Sequence, residues 1–262
     1  MNKQNLLAVA LWATLTPFAH AATYSPSMTY DASGAVSGVQ ERASATFTFQ
    51  GNDLLVTLQN TSPVTSNPGT GQVGPGSILS GLFFDLTGNP GLTPVSATSS
   101  GIFNPGVCNP GPCTGVTNVG GEWGYAVGSY GGALGHEGIA SSGYVTTGPH
   151  DAGNFNGANL NGPVSLGGID FAILSKHWTL ADLNGGASRE PYDQGSVTFE
   201  LAGVTGLGLG NLSNVSFQYG TSLTEANLGG STSPVPEPAD AMLISVGLVA
   251  LAGRIKRKRR TR

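Results

Sequence analysis

The sequence predicts an all-β fold, a β-sandwich of jelly-roll type. Three observations predict it. Short segments alternate apolar and polar side chains, the pattern of half-buried strands. Turn signals carrying Gly, Pro and Asn recur between those segments. The chain between its two ends is rich in Gly, Asn, Ser and Thr and poor in Lys and Glu, which disfavours helices and suits short strands joined by turns. Its Val, Ile, Leu and Phe residues fall in regular clusters, which a disordered chain would lack.

The strands follow in order. Ala45-Thr46-Phe47-Thr48-Phe49 alternates cleanly, Gly51-Asn52 supplies a turn, and residues 53–59 read as the partner strand of a hairpin. Residues 62–76 form a Pro/Gly loop. Residues 78–86, ILSGLFFDL, hardly alternate and read as a more buried strand. Gly88-Asn89-Pro90-Gly91 turns the chain into a strand over 93–98. The stretch 101–161 is loop-rich, with one short strand around EWGYA at 122–126. GIDFAIL at 168–174 is a further strand and 182–194 a polar loop. Residues 196–201 and 214–219 alternate again. No βαβ alternation and no internal helix is expected, and no repeated Thr-x-Thr array runs along the body.

The ends differ from the body. Residues 1–21 carry Lys3, an apolar run from Leu6 to Leu15, the breaker Pro17 and Ala19-His20-Ala21, the three parts of a secretory signal with cleavage between Ala21 and Ala22. The run is shorter than the ~20 apolar residues of a spanning helix. The other end has a linker and a Pro-Glu-Pro motif within 231–238, a short apolar helix over 239–255, and a basic tail over 254–262. Prolines on both sides of Glu237 hold that segment extended, as a protease cleft requires. Arg254, Lys256, Arg257, Lys258, Arg259, Arg260 and Arg262 form a basic stop cluster that stays on the cytoplasmic side.

That tail resembles the PEP-CTERM sorting signal: Pro236-Glu237-Pro238, then a short apolar helix, then a basic cluster. The resemblance implies recognition by an exosortase, an integral-membrane cysteine protease, after delivery by the Sec export machinery. It also implies cleavage near the motif, with the body released or attached at the surface of a Gram-negative bacterium. Asp240 departs from the pattern by shortening the apolar stretch. In the body, Gly121-Glu122-Trp123-Gly124-Tyr125, Gly138-Ile139-Ala140-Ser141-Ser142-Gly143, the 162–169 segment and Val215-Ser216-Phe217-Gln218-Tyr219-Gly220-Thr221-Ser222-Leu223 are similar, in this order, to exosortase-dependent surface proteins. This likeness implies a surface role and brings no catalytic residue with it.

Charge narrows the partners. Seven of the eleven basic residues lie in the tail and Lys3 in the signal, so residues 22–233 hold Arg42, Lys176 and Arg189 against thirteen acids, a net of −10. A body so acidic is unsuited to nucleic acid and to anionic membrane surfaces, while cations and neutral polysaccharides remain as partners. Cys108 and Cys113 bracket Asn-Pro-Gly-Pro, and in an oxidising compartment a disulfide closing this small loop is expected.

Little in the body reads as chemistry. H-E-x-x-H and G-x-S-x-G are absent, and Gly206-Leu-Gly208-Leu-Gly210 lacks the lysine of a phosphate loop. His136-Glu137 and His150-Asp151 place acid beside base, but neighbours on a strand point to opposite faces. His177 completes the set of body histidines. Asp182, Asn184, Glu190 and Asp193 are weak calcium candidates in a glycine-bearing loop. A solvated loop is the stronger reading, because Arg189 would oppose the ion. Trp123, Tyr125, Tyr130 and Tyr144 offer a minor sugar-stacking alternative to core packing. The expected role is non-enzymatic, structural or interacting, in a polysaccharide-rich envelope, with no cofactor and no catalytic residue. A carbohydrate-binding module, with or without calcium, is the alternative, and an exported hydrolase ranks third.

Overall fold

The computed structural model describes residues 25–36, 38–63, 77–103, 117–130, 132–141, 155, 157–161, 172–179, 182, 191–220 and 223–233. It is predominantly β. The signal, both cysteines, the sorting motif, the apolar run and the basic cluster all lie outside the described residues.

One sheet has six strands. Strands β1 (Ser27–Val36), β2 (Val39–Gln50) and β3 (Asp53–Asn60) run as an antiparallel meander. Strand β12 (Ser196–Ala202) follows β3, β5 (Thr93–Ser99) closes one edge, and β15 (Ser231–Thr232) closes the other against β1. The expected hairpin is present: Gln50 pairs Asp53 across two loop residues, and Gly51 takes φ 65°, a backbone that L side chains rarely adopt. In β2, β3 and β12 every second residue is buried, as the alternation predicts.

The second sheet grows from β4 (Leu79–Leu86). Strand β13 (Leu212–Tyr219) pairs with one edge of it, and β14 (Asn227–Gly229) pairs with β13. Gly81 pairs both Gln218 of β13 and Ala140 of β8 (Glu137–Ala140), so β8 lies on the opposite edge. Strands β7 (Gly124–Val127) and β9 (Ala158–Asn159) continue beyond β8. Near its start β4 also meets β10 (Ile173–Leu174), which leads to β11 (Tyr192–Gln194) and β6 (Ile102–Phe103).

The two sheets share one core. Phe47 of β2 meets Phe84 of β4 edge-on at 5.2 Å between ring centroids, and Trp123 meets Phe199 of β12 at 4.8 Å. A second apolar layer lies on the other face of β4, where Phe83 packs with Ala140, Phe155 and Tyr130. That double burial explains why 78–86 hardly alternates.

Three sequence expectations change here. The polar loop over 182–194 ends early, because Tyr192–Gln194 is a strand with Tyr192 and Asp193 wholly buried. Strand β1 was not expected: SMTYDASGAV has little β-branched content, and it is held by pairing with β2 along its whole length. Strand β8 is too short and glycine-bearing to show a period.

The chain leaves the body by changing sheets. After β14 it passes Gly230 and joins the first sheet as β15, and the Ser233 amide donates to the Thr29 carbonyl at 3.0 Å. A Cβ at Gly230 would sit 3.0 Å from the Phe217 ring and 3.2 Å from the Val215 carbonyl, so glycine suits the crossing. Replacing Phe47 by Ala removes a fully buried ring that joins the sheets. It is expected to cost ~3–5 kcal/mol, measured as a lower urea midpoint with an unchanged m-value.

Candidate functional site

The described residues hold one acid–base cluster, at the junction of β4, β8 and β13. Asp85 sits near the end of β4. Its Oδ1 accepts the His136 backbone amide at 2.7 Å and faces His136 Nδ1 at 2.8 Å, while Oδ2 accepts Asn214 Nδ2 at 2.6 Å. Asn214 lies at a break in the β13–β4 register and takes φ 50°, a left-handed backbone that asparagine tolerates better than most residues. Partial burial pushes the Asp85 carboxyl up, but the hydrogen bonds from Asn214 and His136 outweigh it and hold it below its ordinary value.

Glu137, one residue further, points the other way, as the sequence argument requires. Its side chain is fully buried and accepts the Tyr125 hydroxyl, which in turn accepts the Leu92 amide at 2.8 Å. Burial pushes Glu137 up to about 7; the Gly91 amide opposes this and the charge of Asp85 adds to it. His136 and Glu137 therefore form no dyad with each other. Asp85 orients the His136 ring, whose side chain is 52% exposed, and the arrangement can hold or pass a proton at the surface. No described nucleophile hydrogen-bonds His136 Nε2.

Three other carboxylates among the described residues, Glu41, Glu122 and Asp193, are buried apart from this cluster. Glu41 accepts the Ser62 hydroxyl at 2.6 Å, and burial raises its pKa against the hydrogen bonds from Ser62 and Ser77. Asp193 accepts Trp123 Nε1 at 3.3 Å, and burial pushes it well up, opposed by Ser99 and Trp123 and reinforced by the charge of Glu122.

The calcium candidates are not brought together by the described geometry. Asp193 lies in β11 against Trp123, whereas Asp182 accepts the amide and hydroxyl of Thr179, each at 2.7 Å. Asn184 and Glu190 fall outside the described residues, as do Tyr144 and His150. No group of three His, Cys, Asp or Glu suited to a metal occurs among the described residues. Trp123 and Tyr125 are core side chains, so they supply no exposed sugar-stacking face. The His177 amide donates to the Ser175 hydroxyl at 3.4 Å, remote in register from Asp85.

Strand register creates one feature that reading along the chain misses. On the outer face of the six-stranded sheet, Thr29 pairs Thr46, Thr46 pairs Thr57, Thr57 pairs Thr198 and Thr198 pairs Thr98. Five threonines thus stand in one row across five strands. The Thr29 and Thr46 hydroxyls share a hydrogen bond at 2.9 Å, and those of Thr57 and Thr198 one at 3.0 Å. All five side chains are at least part-exposed. Ser44, Gln59 and Ser196 form a parallel polar row beside them.

No family model, curated protein or solved structure matches the chain.

The buried acids set a pH dependence of stability. A carboxyl with a raised folded pKa binds its proton more tightly when folded, so its contribution is most favourable below the ordinary value and is lost as pH rises through the folded one. For Glu137 that window runs from 4.5 to about 7; Glu41 and Asp193 act in the same direction. Asp85 acts oppositely, but only below 3.8. Stability is therefore expected to fall between pH 4.5 and about pH 7, and Glu137→Gln to remove ~2 kcal/mol of that fall, checked by denaturant titrations at the two pH values.

Proposed function

We propose that this chain is an exported surface or extracellular-matrix protein of a Gram-negative bacterium, sorted and cleaved through its C-terminal signal, with a non-enzymatic role in a polysaccharide-rich envelope. The observation that carries the reading is the ordered tail: Pro236-Glu237-Pro238, an apolar run, then seven basic residues among the last nine. No single part is specific, but the sequence of parts suits a segment that stops in a membrane with its basic end on the cytoplasmic side and its extended motif outside.

Two features of the body support this. The last described backbone pairing is at Ser233, three residues before Pro236, so the motif lies within ~10 Å of chain from the sheet edge. A processing enzyme would thus act close beside the folded body. The acidic, cation-poor body also suits an envelope better than nucleic acid or an anionic membrane. We further read the two sheets as a β-sandwich, supported by the Phe47–Phe84 and Trp123–Phe199 contacts between them. Because β1, β2 and β3 stay in one sheet as a meander, the sandwich is kept and the jelly-roll form is not.

Replacing Pro236, Glu237 and Pro238 together by Ala should leave the full-length chain in the membrane fraction. The parent should yield a shorter species at the cell surface or in the medium, lacking the basic cluster by intact mass. Unchanged release of the substituted chain would overturn the sorting reading.

A further inference from the structure

We propose that the outer face of the six-stranded sheet is a docking surface for an extended, uncharged polysaccharide chain lying along the row Thr29–Thr46–Thr57–Thr198–Thr98. This rests on the envelope-protein reading above and assigns it a contact surface.

The register fixes the geometry. Neighbouring strands are ~4.8 Å apart and same-face residues along a strand ~6.7 Å apart. The row therefore presents a hydroxyl every ~4.8 Å over ~19 Å. The Thr29–Thr46 and Thr57–Thr198 hydrogen bonds hold the hydroxyls in place. Each hydroxyl has one donor and two acceptor positions, so each pair keeps one donor and three acceptor positions for a ligand. A polymer with a hydroxyl or ring oxygen at every sugar can meet such a row repeatedly, directly or through single waters.

Charge selects the ligand. The row contains no ionisable group, and it belongs to a body of net charge −10. Asp31 and Glu200 lie on the flanking rows, and Arg42 stands beyond Asp31 opposite Ser33. An acidic polysaccharide would be repelled by the body as a whole, whereas a neutral one would not. The large aromatics of these strands, Tyr30, Phe47, Phe49 and Phe199, all point into the core. The face therefore lacks the stacking platform that captures a single sugar and the aromatic anchors that dominate protein interfaces. Affinity must come from many weak polar contacts along a chain. Strands in a sheet twist by ~20–25° from one to the next. A flexible polymer can follow that twist across five strands, but a rigid crystalline plane cannot.

The test uses the full-length chain and the double variant Thr46→Val, Thr57→Val, which removes two central hydroxyls while keeping β-branched side chains. Retention is measured on dextran, soluble hydroxyethyl cellulose and soluble β-1,3-glucan, with alginate as the acidic polymer. Thermal unfolding confirms the fold, and Thr87→Val, in a turn off this face, serves as the control. The parent and Thr87→Val should be retained on at least one neutral polymer and not on alginate, and the double variant should lose tenfold or more of that retention at an unchanged melting temperature. Equal retention by the double variant, alginate retention as strong as that on neutral polymers, or no retention on any polymer would overturn the proposal. Inhibition of ice growth that depends on Thr46 and Thr57, without polysaccharide retention, would also overturn it and assign the row to ordered water. Sorting is read separately from cellular mass and location: normal processing without retention rejects only the docking face, and retention with failed processing rejects only the sorting reading.

Discussion

Strand β4 occupies the one position from which the rest of the body can be placed. Both its edges are paired, by β13 on one side and by β8 and β10 on the other. Both its faces are covered, Leu82, Phe84 and Leu86 by the shared core and Phe83 by the layer around Phe155. With no edge or face open to water, β4 must be apolar almost throughout, and its backbone groups must all find partners within the protein. Close approach follows from this. A Cβ at Gly135 would lie 2.2 Å from the Phe84 amide nitrogen, and one at Gly138 would lie 2.7 Å from the Phe83 ring. The glycines before and within β8 are therefore consequences of how tightly the second sheet closes on β4.

The same crowding explains where the acids sit. A chain with few basic residues in its body cannot neutralise buried carboxylates by ion pairing, so it uses hydroxyls, amides and the Trp123 indole instead. Each of these donors reaches one oxygen of its carboxylate without supplying a countercharge, and Glu41 Oε1, Glu137 Oε1 and Asp193 Oδ1 are left buried without a hydrogen bond. Burial then wins over hydrogen bonding at Glu41, Glu137 and Asp193, while at the more open Asp85 the hydrogen bonds win.

Legibility in the sequence followed the length scale of the physics. Strands whose one face is buried and whose other is wet, such as β2, β3 and β12, announce themselves by alternation. The hairpin at Gly51 was readable because its signal lies within two residues. Strand β1 was not, because its stability comes from its partner rather than from its own residues. The Asp85–His136 contact joins residues 51 apart, and the threonine row joins five strands. Neither has any local signature, and a search for Thr-x-Thr along the chain looks in the wrong direction, since the repeat runs across strands. The tail is a different case: its reading rests on the order of adjacent segments, and those segments lie outside the described residues.

The crossing at Gly230 has a consequence for the order of events in the life of the chain. Strand β1 is among the first parts of the body to be made, and its outer edge pairs with β15 at Tyr30 and Asp31; Asp31 and Ser231 are 200 residues apart. Until the ribosome has released nearly everything, that edge is bare, and a bare edge is where one chain can recruit another. Joining such distant residues comes late on entropic grounds as well. Pairing of β15 is therefore a late step at the junction with the tail, and a chain cut back before Ser231 would leave Tyr30 and Asp31 without their strand partner.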